Sequence, residues 1–155
     1  MKLSTKGRYA VMALVDLASQ GADRPVTLAE IADRQDISLS YLEQLFAKLR
    51  RGGLVTSVRG PGGGYLLAQS AEDTRISDVI LAVDQPTPTS RCTPGQPFGC
   101  RDNSSRCLSH DLWEQLGHQI LTFLSSVSLA DVVEGKVASN GALFPQKTGA
   151  PLTAP

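Results

Sequence analysis

Residues 27–67 read TLAEIADRQDISLSYLEQLFAKLRRGGLVTSVRGPGGGYLL, and this stretch decides the fold. Thr27-Leu28-Ala29-Glu30 has the form of a capping box, in which a hydroxyl and a carboxylate each take up a free amide at a helix start. Leu28, Ile31 and Ala32 then point inward at helical spacing. A turn is expected at Gln35-Asp36-Ile37. A second helix follows to Arg51, with Leu42, Leu45, Phe46 and Leu49 as its buried stripe and Ser40, Glu43, Gln44, Ala47 and Arg51 on its open face. Gly52-Gly53 ends it. Two short helices across a tight turn form a helix-turn-helix. Residues 54–59 are rich in strand formers, residues 60–64 must turn, and Tyr65-Leu66-Leu67 returns as a second strand. A hairpin directly behind a helix-turn-helix is a wing.

Upstream, a helix is expected from about Ser4 to Gln20, with Ala10, Ala13, Leu14, Leu17 and Ala18 on one apolar stripe and Gly21 as its stop. Downstream, a helix spans about Ser77 to Val83, and Pro86 and Pro88 break it. Residues 85–106 are rich in Pro, Gly, Ser and Asn and read as a long loop. A long helix runs from about Leu108 to Ser126, with a wide apolar face of Leu112, Trp113, Leu116, Ile120, Leu121, Phe123 and Leu124. Ser128-Leu129-Ala130-Asp131 starts another short turn of helix. The fold class is therefore mainly α with a small β-hairpin. Residues 1–68 form the winged helix-turn-helix, 69–134 hold the loop and the long helix, and 135–155 read as a disordered tail.

Composition bounds the function. The 155 residues carry 41% hydrophobic residues and zero formal net charge, ordinary values for a soluble chain. The charge is uneven: residues 1–68 hold nine Lys/Arg and six Asp/Glu, and the remainder holds the reverse imbalance. That asymmetry fits a nucleic-acid-binding head on an acidic body. Met1-Lys2-Leu3-Ser4 opens no apolar signal region, and no run approaches a membrane span, so a cytoplasmic protein with no membrane partner is expected. An odd count of three cysteines argues against structural disulfides there. No nucleophile–base pair or cofactor fingerprint points to an enzyme. The glycines of residues 60–64 are not a phosphate-cradling enzyme loop, because no Gly-Lys-Ser/Thr and no helix follow them.

The chemistry of the second helix is that of a major-groove reader. Ser40, Tyr41, Glu43 and Gln44 lie near its N-terminus, where recognition helices meet bases. Gln44 suits adenine, and Glu43 accepts from a cytosine amine but is repelled by phosphate. Glu43 could instead close a capping box with Ser40; Ser38 is the preferred cap and leaves Glu43 open. Lys48, Arg50 and Arg51 reach toward phosphate. Arg59, at the lip of the glycine turn, suits a narrow minor groove, and Gly60 opens a stretch where backbone approaches phosphate closely. Ser38 and Gly60 complete the set expected to face DNA.

Cys92, Cys100, Cys107 and His110 form the second constellation. Cys107 and His110 are three apart at the start of the long helix, where both can reach one centre, and the loop cysteines can close over it. The donor set suits zinc or an iron–sulfur cluster. A tight Cys-x2–4-Cys knuckle is absent, and wide spacing in a glycine-bearing loop favours the larger centre. His118 reads as helix surface rather than a substitute ligand.

The sequence resembles the Rrf2 family of bacterial regulators. The resemblance is carried by residues 3–10 (LSTKGRYA), 37–46 (ISLSYLEQLF), 58–67 (VRGPGGGYLL) and 107–113 (CLSHDLW), and it extends over about residues 1–134. It implies a homodimer with crossed long helices, here through Leu112, Trp113, Leu116, Ile120 and Leu124, on a pseudo-palindromic double-stranded operator. It implies a [2Fe-2S] cluster on Cys92, Cys100, Cys107 and His110, delivered by a cluster-assembly scaffold. It implies base contacts from Ser40, Glu43 and Gln44, with Arg59 in the wing. The regulated genes would be those of cluster assembly, including the regulator's own operon. Two other readings stand beside this one. A nitric-oxide-sensing [4Fe-4S] repressor of the family is disfavoured by His110, which a three-cysteine sensor does not need. The other is a zinc-stabilised interaction module.

Overall fold

A computed structural model describes residues 4–84, 101 and 105–137. Its elements are α1 (Thr5–Ser19), α2 (Leu28–Gln35), α3 (Leu39–Arg51), β1 (Val55–Val58), β2 (Gly64–Leu67), α4 (Ile76–Val83), α5 (His110–Ser126) and α6 (Leu129–Val133). The expected tail lies outside the described residues from 138 onward, whereas Val137 packs against the core.

Each head helix forms for a local reason. Ser4 caps α1, its hydroxyl accepting from the Gly7 amide at 3.1 Å. Thr27 and Glu30 close the expected box on α2, the Glu30 amide donating to Thr27 Oγ1 at 3.2 Å and the Thr27 amide to Glu30 Oε2 at 2.8 Å. Ser38 is the N-cap of α3 by position, but its hydroxyl makes no cap bond. Its own carbonyl does that work, accepting from Tyr41 and Leu42 at 3.1 Å each, which leaves the hydroxyl open. Asp36 makes the tight turn between α2 and α3 by adopting a left-handed backbone, φ 51°.

The core is one cluster. Ala10, Ala13, Leu14 and Leu17 of α1 meet Ile31 of α2, Leu42, Leu45, Phe46 and Leu49 of α3, and Val79 and Val83 of α4. A pure amphipathic reading of α1 leaves out Asp16, which is 6% exposed beside that stripe. Its carboxylate accepts from Arg34 (2.6 Å for Nη2 to Oδ2) and from Gln35 Nε2 at 2.9 Å, pinning the end of α2 to α1.

The wing is a two-stranded antiparallel sheet with Val58 opposite Gly64 and Val55 opposite Leu67. Gly60-Pro61-Gly62-Gly63 closes it, the Gly63 amide donating to the Gly60 carbonyl at 2.9 Å. Proline at the second position and a left-handed Gly62 (φ 72°) at the third are the residues a type II turn requires. The hairpin is not free-standing. Val26 and Tyr65 exchange backbone bonds of 3.0 and 2.7 Å, so the residue just before the N-cap of α2 bridges to β2. Gly64 permits this: a Cβ there would stand 2.5 Å from the Val26 carbonyl oxygen.

Past the wing, α4 crosses α1 and α3. The turn after α5 then returns to the start of α4, with the Ile76 amide donating to the Val127 carbonyl and the Leu129 amide to the Thr74 carbonyl, both at 3.0 Å. Helix α4 begins at Ile76, one residue earlier than expected, because Ile76 is held there by that bond. Helix α5 begins at His110, so Cys107 lies in the turn before the helix and not on it.

Candidate nucleic-acid interface and cysteine–histidine turn

Ser40, Glu43, Gln44, Ala47 and Arg51 are all exposed and share one face of α3, as spacings of three and four dictate. Ser38 and Arg50 are exposed beside them. Ser38 and not Ser40 is the N-cap of α3, so Glu43 does not stand where a box with Ser40 would need it, and it is exposed on the same face. Arg59 and Gly60 sit exposed at the wing tip. The face therefore offers a hydroxyl, an amide and a carboxylate at its centre, with guanidinium groups along its flank.

Two expected DNA residues have internal tasks. The Tyr41 ring is half-buried edge-on against Tyr9 of α1, with centroids 5.8 Å apart. Lys48, one turn beyond Gln44 on the flank that meets α4, donates from Nζ to the Val83 carbonyl at 3.0 Å. Residue pattern does not reveal either contact. It does hint at Asp16, an acidic residue at the i+3 position from Ala13 on the buried stripe. Burial alone would push the Asp16 carboxyl up. The Arg34 and Gln35 hydrogen bonds and the guanidinium charge outweigh burial and hold it below its ordinary value.

The second constellation is described in part. Cys92 and Cys100 lie outside the described residues, and among those described no three His, Cys, Asp or Glu converge. Cys107 and His110 do come together: the His110 amide donates to the Cys107 carbonyl at 3.0 Å in the turn that starts α5. His110 is 3% exposed, its Nε2 is 4.0 Å from the Glu114 carboxylate, and its buried Nδ1 has no partner among the described residues. A buried ring nitrogen without a partner is costly. With the proton on Nε2, Nδ1 carries the lone pair that a metal requires. The donor chemistry therefore fits a metal centre. Nearby, Ser109 Oγ lies 3.6 Å from Cys107 Sγ and accepts from Trp113 Nε1 at 3.2 Å.

Beyond the turn, α5 leaves its apolar side open. Leu112, Leu121 and Phe123 are exposed at 62, 49 and 40%. Trp113 is exposed too, and Leu116, Ile120 and Leu124 are half-buried. His118 is exposed on the helix surface.

A helix-turn-helix whose wing is bridged to the segment entering α2, with an open polar face on α3, defines a winged-helix DNA-binding protein. The chain matches the Rrf2 profile, described as an iron-dependent transcriptional regulator, over residues 3–135, and it belongs to that family. It is 56% identical over 133 residues to a putative HTH-type transcriptional regulator, ORF2, of Azotobacter vinelandii, covering 86% of this chain and 79% of that protein. It is 51% identical over 136 residues to the HTH-type transcriptional regulator IscR of Photorhabdus laumondii, covering 88% and 81%. Among solved structures it superposes on T. potens IscR with a TM-score of 0.71 at 36% identity, covering 94% of this chain and 93% of that one. It also superposes on CymR, the global cysteine regulator of B. subtilis, with a TM-score of 0.74 at 30% identity, covering 87% and 98%. The protein is thus an IscR-like transcriptional regulator and not an enzyme. No described helix is long and apolar enough to cross a membrane.

Proposed function

We propose that this regulator senses iron–sulfur cluster supply through a [2Fe-2S] cluster held by Cys92, Cys100, Cys107 and His110, and controls cluster-assembly genes, its own operon among them. The observation that carries the reading is the buried, unpartnered Nδ1 of His110 in the same hydrogen-bonded turn as Cys107. The cluster would supply a labile metal centre, received from an assembly scaffold, whose occupancy reports supply. Three thiolates and one imidazole hold such a centre less firmly than four thiolates. The protein works in the cytoplasm as a homodimer joined along the open face of α5, with two heads on a pseudo-palindromic operator.

In each head, Ser40 and Gln44 read base edges and Arg59 enters the minor groove beside the wing. Ser38, Arg50, Arg51 and the Gly60 backbone contact the phosphate backbone. Glu43 discriminates by penalty, since an exposed carboxylate on the reading face disfavours any site without a donor opposite it. Glu43→Ala is expected to let the cluster-free protein bind operators otherwise reserved for the loaded form; unchanged operator preference in gel shifts sinks this role.

Anaerobic purification tests the cofactor. Iron with acid-labile sulfide and a visible charge-transfer spectrum are expected, and paramagnetic resonance of the reduced protein distinguishes [2Fe-2S] from [4Fe-4S]. Zinc alone would establish the interaction-module reading instead. Cys92→Ala should purify colourless under the same conditions, and a wild-type spectrum would remove Cys92 from the ligand set.

A further inference from the structure

The contact that takes Lys48 away from the reading face lies at a junction. Val83 is the last residue of α4, and its carbonyl is one that a helix end leaves without an intrahelical partner. Lys48 Nζ supplies the partner from α3 at 3.0 Å, in the half-buried seam between the two helices, and a cation there also suits the negative end of α4. The same seam is closed from the other side by Gly52, the C-cap of α3, where a Cβ would stand 3.0 Å from Ala82 Cβ. At the last turn of α4 the packing of the recognition helix thus includes a polar contact from Lys48 and a close approach of Gly52 to Ala82.

Helix α4 directly precedes the cysteine segment, and the helix that follows that segment, α5, bonds back to α4 from its far end. That segment leaves directly from Val83 and Asp84 and re-enters the fold at the Cys107–His110 turn. From there α5 runs to Val127, whose carbonyl accepts from Ile76 at the start of α4, and Ser128 bridges Arg75. Helix α4 is therefore joined to the two neighbours of the segment, at its C-terminus through the chain and at its N-terminus through α5. From the end of α4 the Lys48–Val83 hydrogen bond leads on to α3.

We propose that Lys48 is a positioning residue that transmits the state of the cysteine segment to the recognition helix. It does so by tying α3 to the carbonyl from which that segment departs. The proposal rests on the reading of the segment as a cluster site. A lysine that contacts only phosphate would weaken both forms of the protein alike and lower the salt dependence of binding. A lysine that transmits changes the ratio between the forms.

The test uses the full chain, cluster-loaded and cluster-free, with operator affinity measured by fluorescence anisotropy across a salt series. Cluster content and thermal melting are followed in parallel. In the wild type, coupling of about 5- to 150-fold between the two forms is the ordinary range for linked sites. Lys48→Met keeps the apolar stem and removes the donor. It is expected to load the cluster normally, to keep the wild-type salt slope, and to bring the affinity ratio toward one; Lys48→Arg should restore part of the ratio. Gly52→Ala, which presses the seam open from the Ala82 side, should shift the same ratio and provides a second route if Lys48→Met melts early. An equal loss in both forms, with the salt slope reduced by about one, makes Lys48 a phosphate contact and overturns the proposal. A wild-type ratio that survives both variants overturns it as well. A wild type whose loaded and free forms bind alike overturns the sensing reading and the role of Lys48 together.

Discussion

Asp16 shows how one side chain sets the position of an element. It is buried on α1, yet its carboxylate holds Arg34 and Gln35 at the far end of α2. Asp16→Ala should lower stability by about 1–3 kcal/mol, the range for losing hydrogen bonds to a charged group, discounted because Arg34 remains partly solvated. Urea unfolding with an unchanged m-value checks it. The pH dependence follows from the direction of the shift. The Asp16 carboxyl lies below its unfolded value in the native state, so its contribution is complete above the ordinary carboxylate range near pH ~4 and is lost as the pH falls through and below it. The wild type should therefore lose its advantage over Asp16→Ala on acidification. A difference in unfolding midpoint that stays constant from neutral pH to about pH 3 would contradict the assignment.

Among the elements, the wing depends on the narrowest tolerance. Gly64 faces the Val26 backbone so closely that a methyl group meets the carbonyl oxygen at 2.5 Å. Gly64→Ala should part β2 from Val26 and destabilise the domain by about 2–3 kcal/mol. The Val26 and Tyr65 amides should lose hydrogen-exchange protection first; unchanged protection there would refute the close approach. The sequence foretells what is built from near neighbours. The Thr27–Glu30 box, the stripe of α3 and the Gly-Pro-Gly turn each close within a few residues, so their spacing alone predicts them. Contacts across the chain leave no such trace. Lys48 reaches Val83 over 35 residues and Arg34 reaches Asp16 over 18, and each lysine or arginine looks in sequence like any other basic side chain. At the cysteine–histidine turn the legible part was a local one as well. The three-residue spacing brings Cys107 and His110 into one turn, but it does not show that the histidine ring is buried.

For the molecule as a whole, α5 is the element whose packing is least complete within one chain. Leu112 is 62% exposed, with Leu121 and Phe123 open on the same helix. On the dimer reading, Leu112→Glu places a charge in the seam. The variant should sediment as a monomer at micromolar concentration and lose about a hundredfold in operator affinity, as expected when two linked heads become independent. A dimer that persists would move the interface elsewhere on the surface. The DNA heads themselves bring a different economy to binding. Because the Val26 bridge ties the hairpin to the head and the turn at Gly62 is closed by the Gly63–Gly60 backbone bond, the wing backbone is already ordered before any DNA is met. On the DNA reading, the ordering cost of association then falls on side chains such as Arg59 and little of it on the wing backbone.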